Sequence, residues 1–154
     1  MQKTIQKNIF IIAEIANSHE GKLSEAKKII KAAANGKANA VKIQKIIADE
    51  LAEPDHENYQ MYKRLEMTKN EWIEIIKYSK KLNLKFFVDV FGLKGAKEIS
   101  KMKVDGIKIH STDLNNPLLL KFVATLKIPV LLSTAGCTFS EIDDALKILS
   151  KNDV

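Results

Sequence analysis

Only one cysteine, Cys137, occurs among the 154 residues. A single thiol excludes an internal disulfide framework and any metal site built from clustered cysteines. Long apolar runs are missing as well. The longest, such as residues 9–13 and 129–132, fall far short of the ~20 residues that a membrane-spanning helix needs. The first residues lack a basic region followed by an apolar stretch and a small-residue cleavage site, so a cytoplasmic location is the expectation. There is no glycine-rich dinucleotide fingerprint, no phosphate-cradling Walker loop and no nucleophile elbow. Arg64 is the only arginine, and the excess of 25 basic over 19 acidic residues is carried by lysines spread along the chain. Dispersed lysine reads as a solvated surface rather than a nucleic-acid groove. The same sign of field suits a small anionic substrate, provided that specific lysines enter a site.

What is present is an alternation. Hydrophobic residues make up 45% and charged residues 29%, which fits a single ordinary globular domain over residues 1–154. Five short apolar runs, IFIIAEI at 9–15, AVKIQ at 40–44, KFFVDV at 85–90, GIKIH at 106–110 and PVLLST at 129–134, read as buried strands. Between them, Leu23, Ala26, Ile29, Ile30 and Ala33 recur on one helical face and end at Asn35-Gly36, a C-terminal cap signal. Thr68 with Glu71, and Thr138 with Glu141, form capping-box patterns ahead of helix-period apolar residues. Asn116-Pro117 places proline in the first turn of another helix. Strand followed by helix, five times over, predicts an α/β fold with a parallel sheet and right-handed crossovers. One connection, from Lys45 to Met67, is long enough to be either a functional lid or a poorly ordered insertion.

The informative residues are those that interrupt the strands. Fully buried parallel strands should be nearly continuous Val, Ile and Leu, yet Glu14, Lys42, Gln44, Asp89, Lys108, His110, Ser133 and Thr134 sit near the C-terminal ends. Side chains alternate faces along a strand, so Lys42 shares a face with Gln44, and Lys108 with His110. Two lysines on one buried face imply a bound phosphate or carboxylate, or pairing with Glu14 or Asp89. The C-terminal rim of parallel strands is where such folds place ligands. Ser111, Thr112, Ser133 and Thr134 add hydroxyl donors there. His19, in NSHEG after the first strand, is a metal ligand, a general acid or a turn residue. No metal-ligand spacing links it to His56 or His110.

Taken in order, AEIANSHEGKLSEAKKII, AVKIQ, KIHSTDLNNPLLL and VLLSTAG resemble the successive signatures of the sialic acid (N-acetylneuraminate) synthase family over nearly the whole chain. The resemblance implies a (β/α)8 TIM barrel that condenses phosphoenolpyruvate with N-acetylmannosamine or a related amino sugar, giving a nonulosonic acid and phosphate. By position it implies that Lys42, Lys108, Ser111 and Ser133 hold phosphoenolpyruvate. Gln44 and Asp113 match sugar-contacting positions. Glu14 matches a first-strand carboxylate placed for proton transfer or water positioning, so Glu14 and Asp113 are the catalytic candidates. Two departures stand out. Asp89 replaces a threonine that helps bind the phosphate in many members, where a carboxylate would repel it, and STAG replaces STG at the fifth strand.

Length is the larger departure, since a (β/α)8 barrel takes typically ~250 residues and about five β/α units are legible. The chain is therefore expected to be the N-terminal part of such a barrel. In the family a divalent metal, manganese or magnesium, is held by histidines on later strands, and an antifreeze-like domain follows. The chain alone is expected to lack synthase activity and, with open sheet edges, to associate as a homo-oligomer or to be marginally stable. The alternatives are a related phosphoenolpyruvate-dependent 3-deoxy-sugar acid synthase that uses a phosphosugar, or a non-catalytic barrel fragment that acts through association.

Overall fold

The computed structural model describes residues 9–150. Their chain order is β1 (Ile12–Ala16), α1 (Leu23–Asn35), β2 (Ala40–Lys45), α2 (Tyr59–Leu65), α3 (Lys69–Lys81), β3 (Lys85–Val90), α4 (Gly92–Ile99), β4 (Gly106–Ile109), α5 (Pro117–Ala124), β5 (Val130–Leu132) and α6 (Phe139–Ser150), with short 3-10 turns at Ala48–Glu50 and Ser111–Asp113. The five strands form one sheet in sequence order, β1-β2-β3-β4-β5, and every neighbouring pair is parallel. Five consecutive parallel strands, each followed by helix, are successive units of a (β/α)8 TIM-barrel-type fold.

All five expected strands are present, with ends shifted by up to three residues, most at the first, which starts at Ile12 instead of Ile9. One face of the sheet is dry. Val41, Ile43, Phe86, Val88, Val90, Ile107 and Ile109 are fully inaccessible there, packed in one cluster with Ala26, Ile30, Trp72, Ile75, Ala96 and Leu119 from the helices. Trp72 of α3 meets the Phe86 ring edge-on, with centroids 6.3 Å apart, an arrangement that aligns ring quadrupoles.

The helix ends follow the expected chemistry with one change. Both capping boxes form: Thr68 and Thr138 each accept from the backbone N–H of the glutamate three residues on, and Glu71 and Glu141 reach back to the threonine N–H. These backbone bonds hold the Glu141 carboxyl below its usual range. Asn116 caps α5 through Leu119 N–H, with Pro117 as first residue. Helix α1 does end at Asn35, but Gly36 keeps a negative φ of −74° and Lys37 takes the left-handed conformation at +59°. The cap closes one residue later than the Asn-Gly signal suggests, through Ala38 N–H on the Ala33 carbonyl.

The 45–67 connection is built structure rather than an open loop. Ile46, Ile47, Ala48 and Met67 are buried, and Ala48 N–H donates to Glu66 at 2.8 Å. Asp49 accepts from the Tyr59 hydroxyl at 2.6 Å and faces Lys63 at 3.3 Å, which holds its carboxyl below the ordinary range. The segment also docks on the turn after β1. Gly21 has φ +72°, and a Cβ there would lie 1.9 Å from the Arg64 carbonyl oxygen, so only glycine fits the approach.

Candidate functional site

The second face of the sheet carries the interrupting residues, and strand register decides which of them meet. Glu14 is level with Lys42, Gln44 with Asp89, and Asp89 with Lys108. Each side chain near the C-terminal rim thus has a charged or amide neighbour one strand away.

Asp89 is the centre of the group. It is fully buried on the middle strand, its Oδ2 accepts from Lys108 Nζ, and the same oxygen lies 3.6 Å from Lys42 Nζ. Its other oxygen, Oδ1, is buried without a hydrogen-bond partner. Lys42, whose side chain is only 8% exposed, also pairs with Glu14 Oε2. Glu14 is aimed by an irregularity in β1: the pairing shifts between Glu14 and Ala16, Ala16 takes φ +49°, and its N–H donates to Glu14 Oε1 at 3.0 Å. Bulges commonly re-aim a side chain in this way. A shorter bond joins Asn17 Nδ2 to Gln44 Oε1 at 2.6 Å, leaving Asn17 Oδ1 buried and unpartnered. The arrangement is a row of alternating charge, Glu14, Lys42, Asp89, Lys108, flanked by an amide pair.

Both lysines therefore do face one interior, and carboxylates supply their counter-charge within the chain. Of the two possibilities open from sequence, pairing with Glu14 and Asp89 is what the structure contains. It does not displace the other, because a ligand's anionic group and a protein carboxylate offer a lysine the same kind of acceptor.

The remaining candidates lie around this row. Ser133 continues the β5 ladder, its N–H donating to Ile109 carbonyl at 3.0 Å, and Ser111 opens the turn after β4. Asp113 is engaged locally: Oδ2 accepts from Gly92 N–H at 2.8 Å and Oδ1 from Asn116 at 3.1 Å, tying the β4 turn to the start of α4. His110 packs on Phe91, with ring centroids 5.2 Å apart, and contacts Thr112. His19 is 1% exposed; Nδ1 accepts from Gly21 N–H, Nε2 has no partner, and burial pushes its pKa below the usual 6.5. The Nδ1 contact closes the turn after β1. Asn17 is the member of the group that the sequence did not single out, whereas Asp89 was legible as a partner for the lysines but not as the centre that joins both. The N-x-H run after β1 and the acid inside KFFVDV were the signals.

Among the described residues no three His, Cys, Asp or Glu side chains come together as a metal-binding group. Glu14 and Asp89 are bound to lysines. The divalent metal that the resemblance implies does not fit these residues, and no step is routed through it. The cavity of about 490 Å³ lined by Lys45, Met67, Lys94 and Glu98 lies elsewhere: Lys45 follows Gln44 and points to the opposite side of β2, where it pairs with Glu98 at 3.0 Å. No helix among the described residues is long and apolar enough to cross a membrane.

Comparison with known proteins identifies the group to which this site belongs. The model of the NeuB family matches residues 29–154. The chain belongs to the NeuB family. It is 31% identical over 160 residues to N,N'-diacetyllegionaminic acid synthase of Campylobacter jejuni, covering 95% of this chain and 48% of that protein. The crystal structure of N-acetylneuraminic acid synthetase from Leptospira borgpetersenii, in complex with citrate, superimposes with a TM-score of 0.88 at 33% identity, over 94% of this chain and 50% of that one. A truncated 3-deoxy-D-arabino-heptulosonate 7-phosphate synthase from Thermotoga maritima shares the fold alone, with a TM-score of 0.69 at 11% identity. The chain spans under half the length of the curated relatives it matches.

Proposed function

We propose that this chain supplies the phosphoenolpyruvate-holding part of a nonulosonic acid synthase. The reaction joins phosphoenolpyruvate to N-acetylmannosamine or a related N-acetylamino sugar and releases phosphate. The observation that carries this reading is the convergence of Lys42 and Lys108, from strands β2 and β4, on one carboxylate at the C-terminal rim. Two cations a strand apart suit a ligand with a phosphate and a carboxylate, each of which needs a preorganised donor. Membership of the family supports the same reading, since N,N'-diacetyllegionaminic acid synthase and N-acetylneuraminate-9-phosphate synthase are among the chain's relatives.

In this reading Ser111 and Ser133 add hydroxyl donors to the anion, and Gln44, oriented by Asn17, faces the sugar. Glu14, held by Lys42 and by Ala16 N–H, is placed for proton transfer or water positioning beside the bound anion. Asp113 serves by fixing the rim loop. We assign the chain to the N-terminal five units of the barrel, with the metal-holding strands supplied from outside residues 1–154 by strands that pair with the edges of β1 or β5. The isolated chain then binds phosphoenolpyruvate without turning it over. Amine labelling tests the site directly. Phosphoenolpyruvate should protect Lys42 and Lys108 while the exposed Lys28 and Lys147 stay reactive; equal labelling with and without the ligand removes the assignment.

A further inference from the structure

We propose that Asp89 is the specificity-determining charge of this anion site, a built-in counter-ion that sets how strongly the site takes up ligands of different charge. The inference rests on the anion-site reading above. Glu14, Lys42, Asp89 and Lys108 pair with one another, and two carboxylates balance two ammonium groups. The site is self-neutralised before any ligand arrives. One oxygen of Asp89 serves both lysines, so an anion that takes over those donors must compete with a carboxylate that never leaves its covalent tether. Burial strengthens this competition, because Asp89 is fully inaccessible and solvent screens it little.

Two features mark Asp89 rather than Glu14 for this role. Glu14 has a half-exposed side chain and reaches one lysine, whereas Asp89 bridges both. Moreover, Asp89 Oδ1 is buried with no partner. A carboxylate serving only to knit strands together would have both oxygens satisfied. Here one oxygen is left with its charge unanswered by any donor among the described residues. The groups around it are Lys42 on β2 and Lys108 on β4 in contact, with Gln44 level with it on β2 and Glu14 beyond Lys42 on β1.

Coulomb's law gives the consequence. A fixed negative charge opposes a ligand in proportion to the ligand's own charge, so it weakens a multiply charged anion far more than a monoanion. Asp89 therefore keeps the binding of a phosphoenolpyruvate-like polyanion readily reversible, and its removal changes the ranking of ligands as well as their affinity.

The test is titration calorimetry of the full chain with phosphoenolpyruvate and with pyruvate, using wild type, Asp89→Asn, Asp89→Thr and Lys108→Met. Neutralising Asp89 should tighten phosphoenolpyruvate about tenfold or more, while pyruvate changes by less than about threefold. An unchanged or weaker phosphoenolpyruvate affinity, or an equal gain for both ligands, overturns the counter-ion role. That result leaves the anion site standing if Lys108→Met still abolishes binding. Lys108→Met binding like wild type removes the anion site itself, and the role of Asp89 with it. Should neither Asp89 variant fold, the carboxyl carbon resonance of Asp89 in the wild-type chain decides: displacement from the lysines shifts it on adding phosphoenolpyruvate, and no shift overturns the proposal.

Discussion

The two faces of the sheet are made from the same strands and obey opposite rules. In β3, Phe86, Val88 and Val90 point to the helices and are inaccessible, while Asp89 between them points the other way and holds two lysines. On the helix side, burial of apolar surface supplies the stability, at roughly 25 cal/mol per Å² removed from water. On the interior side, each charge removed from water brings a desolvation cost that pairing only offsets. Folding explains the first face and not the second. That imbalance agrees with the ligand site proposed for the row.

The sharpest way to break this contrast is to truncate each face and measure both stability and binding. Phe86→Ala removes a ring packed against Trp72 and should cost about 3–5 kcal/mol in urea unfolding. The folded fraction should bind phosphoenolpyruvate as before. A cost under ~1 kcal/mol would show that the helix face is looser than its burial implies.

The interior face should respond in the reverse sense. Replacing Asp89→Leu together with Lys108→Met removes a buried pair and puts apolar groups in its place, leaving Lys42 with Glu14. Such exchanges are often neutral or stabilising by ~1–4 kcal/mol. Here stability should hold or rise, and phosphoenolpyruvate binding should disappear. A large loss of stability would mean that the charges hold the sheet together, and the division between faces would fail.

How much of this was legible from the sequence follows the same division. The helix-facing positions declare themselves, because a run such as KFFVDV has no other way to bury its apolar residues. The capping boxes at Thr68 and Thr138 are equally local and equally readable. Helix α2, YQMYKRL, has no buried residue, and α4 opens on Gly92 with φ +66° and no side-chain cap, so α2 carries no apolar face and α4 no cap to announce it. The interior site was half visible. Residue type showed that Lys42 and Lys108 share a face. The pairing of Gln44, Asp89 and Lys108 depends on strand register, which no single strand contains. The bonds that Asp113 accepts from Gly92 N–H and Asn116 are likewise invisible in the sequence, because Gly92 comes to it from another strand-helix unit.

The capping boxes offer a smaller test on the outer layer. Thr68→Ala deletes the acceptor for Glu71 N–H and should cost ~1 kcal/mol, without altering ligand affinity. A change in binding would extend the functional region beyond the interior face and onto the helices.

His19 gives the smallest expected effect and sharpens where the rim belongs. Its imidazole is buried, accepts from Gly21 N–H and is held below its ordinary pKa of 6.5 by desolvation. The unfolded chain therefore binds a proton that the folded chain resists. Stability attributable to this group is present above about pH 6.5 and declines as pH falls through that value toward the folded pKa. Denaturant midpoints should drop between pH 7 and pH 5, and His19→Gln should flatten that part of the profile. Should the profile slope equally in His19→Gln, the acid sensitivity lies elsewhere and His19 is not the buried neutral group that closes this turn. Should phosphoenolpyruvate remove the slope only in wild type, the turn after β1 is coupled to the interior charges through Asn17 and Gln44, and the rim belongs with the binding face rather than with the scaffold.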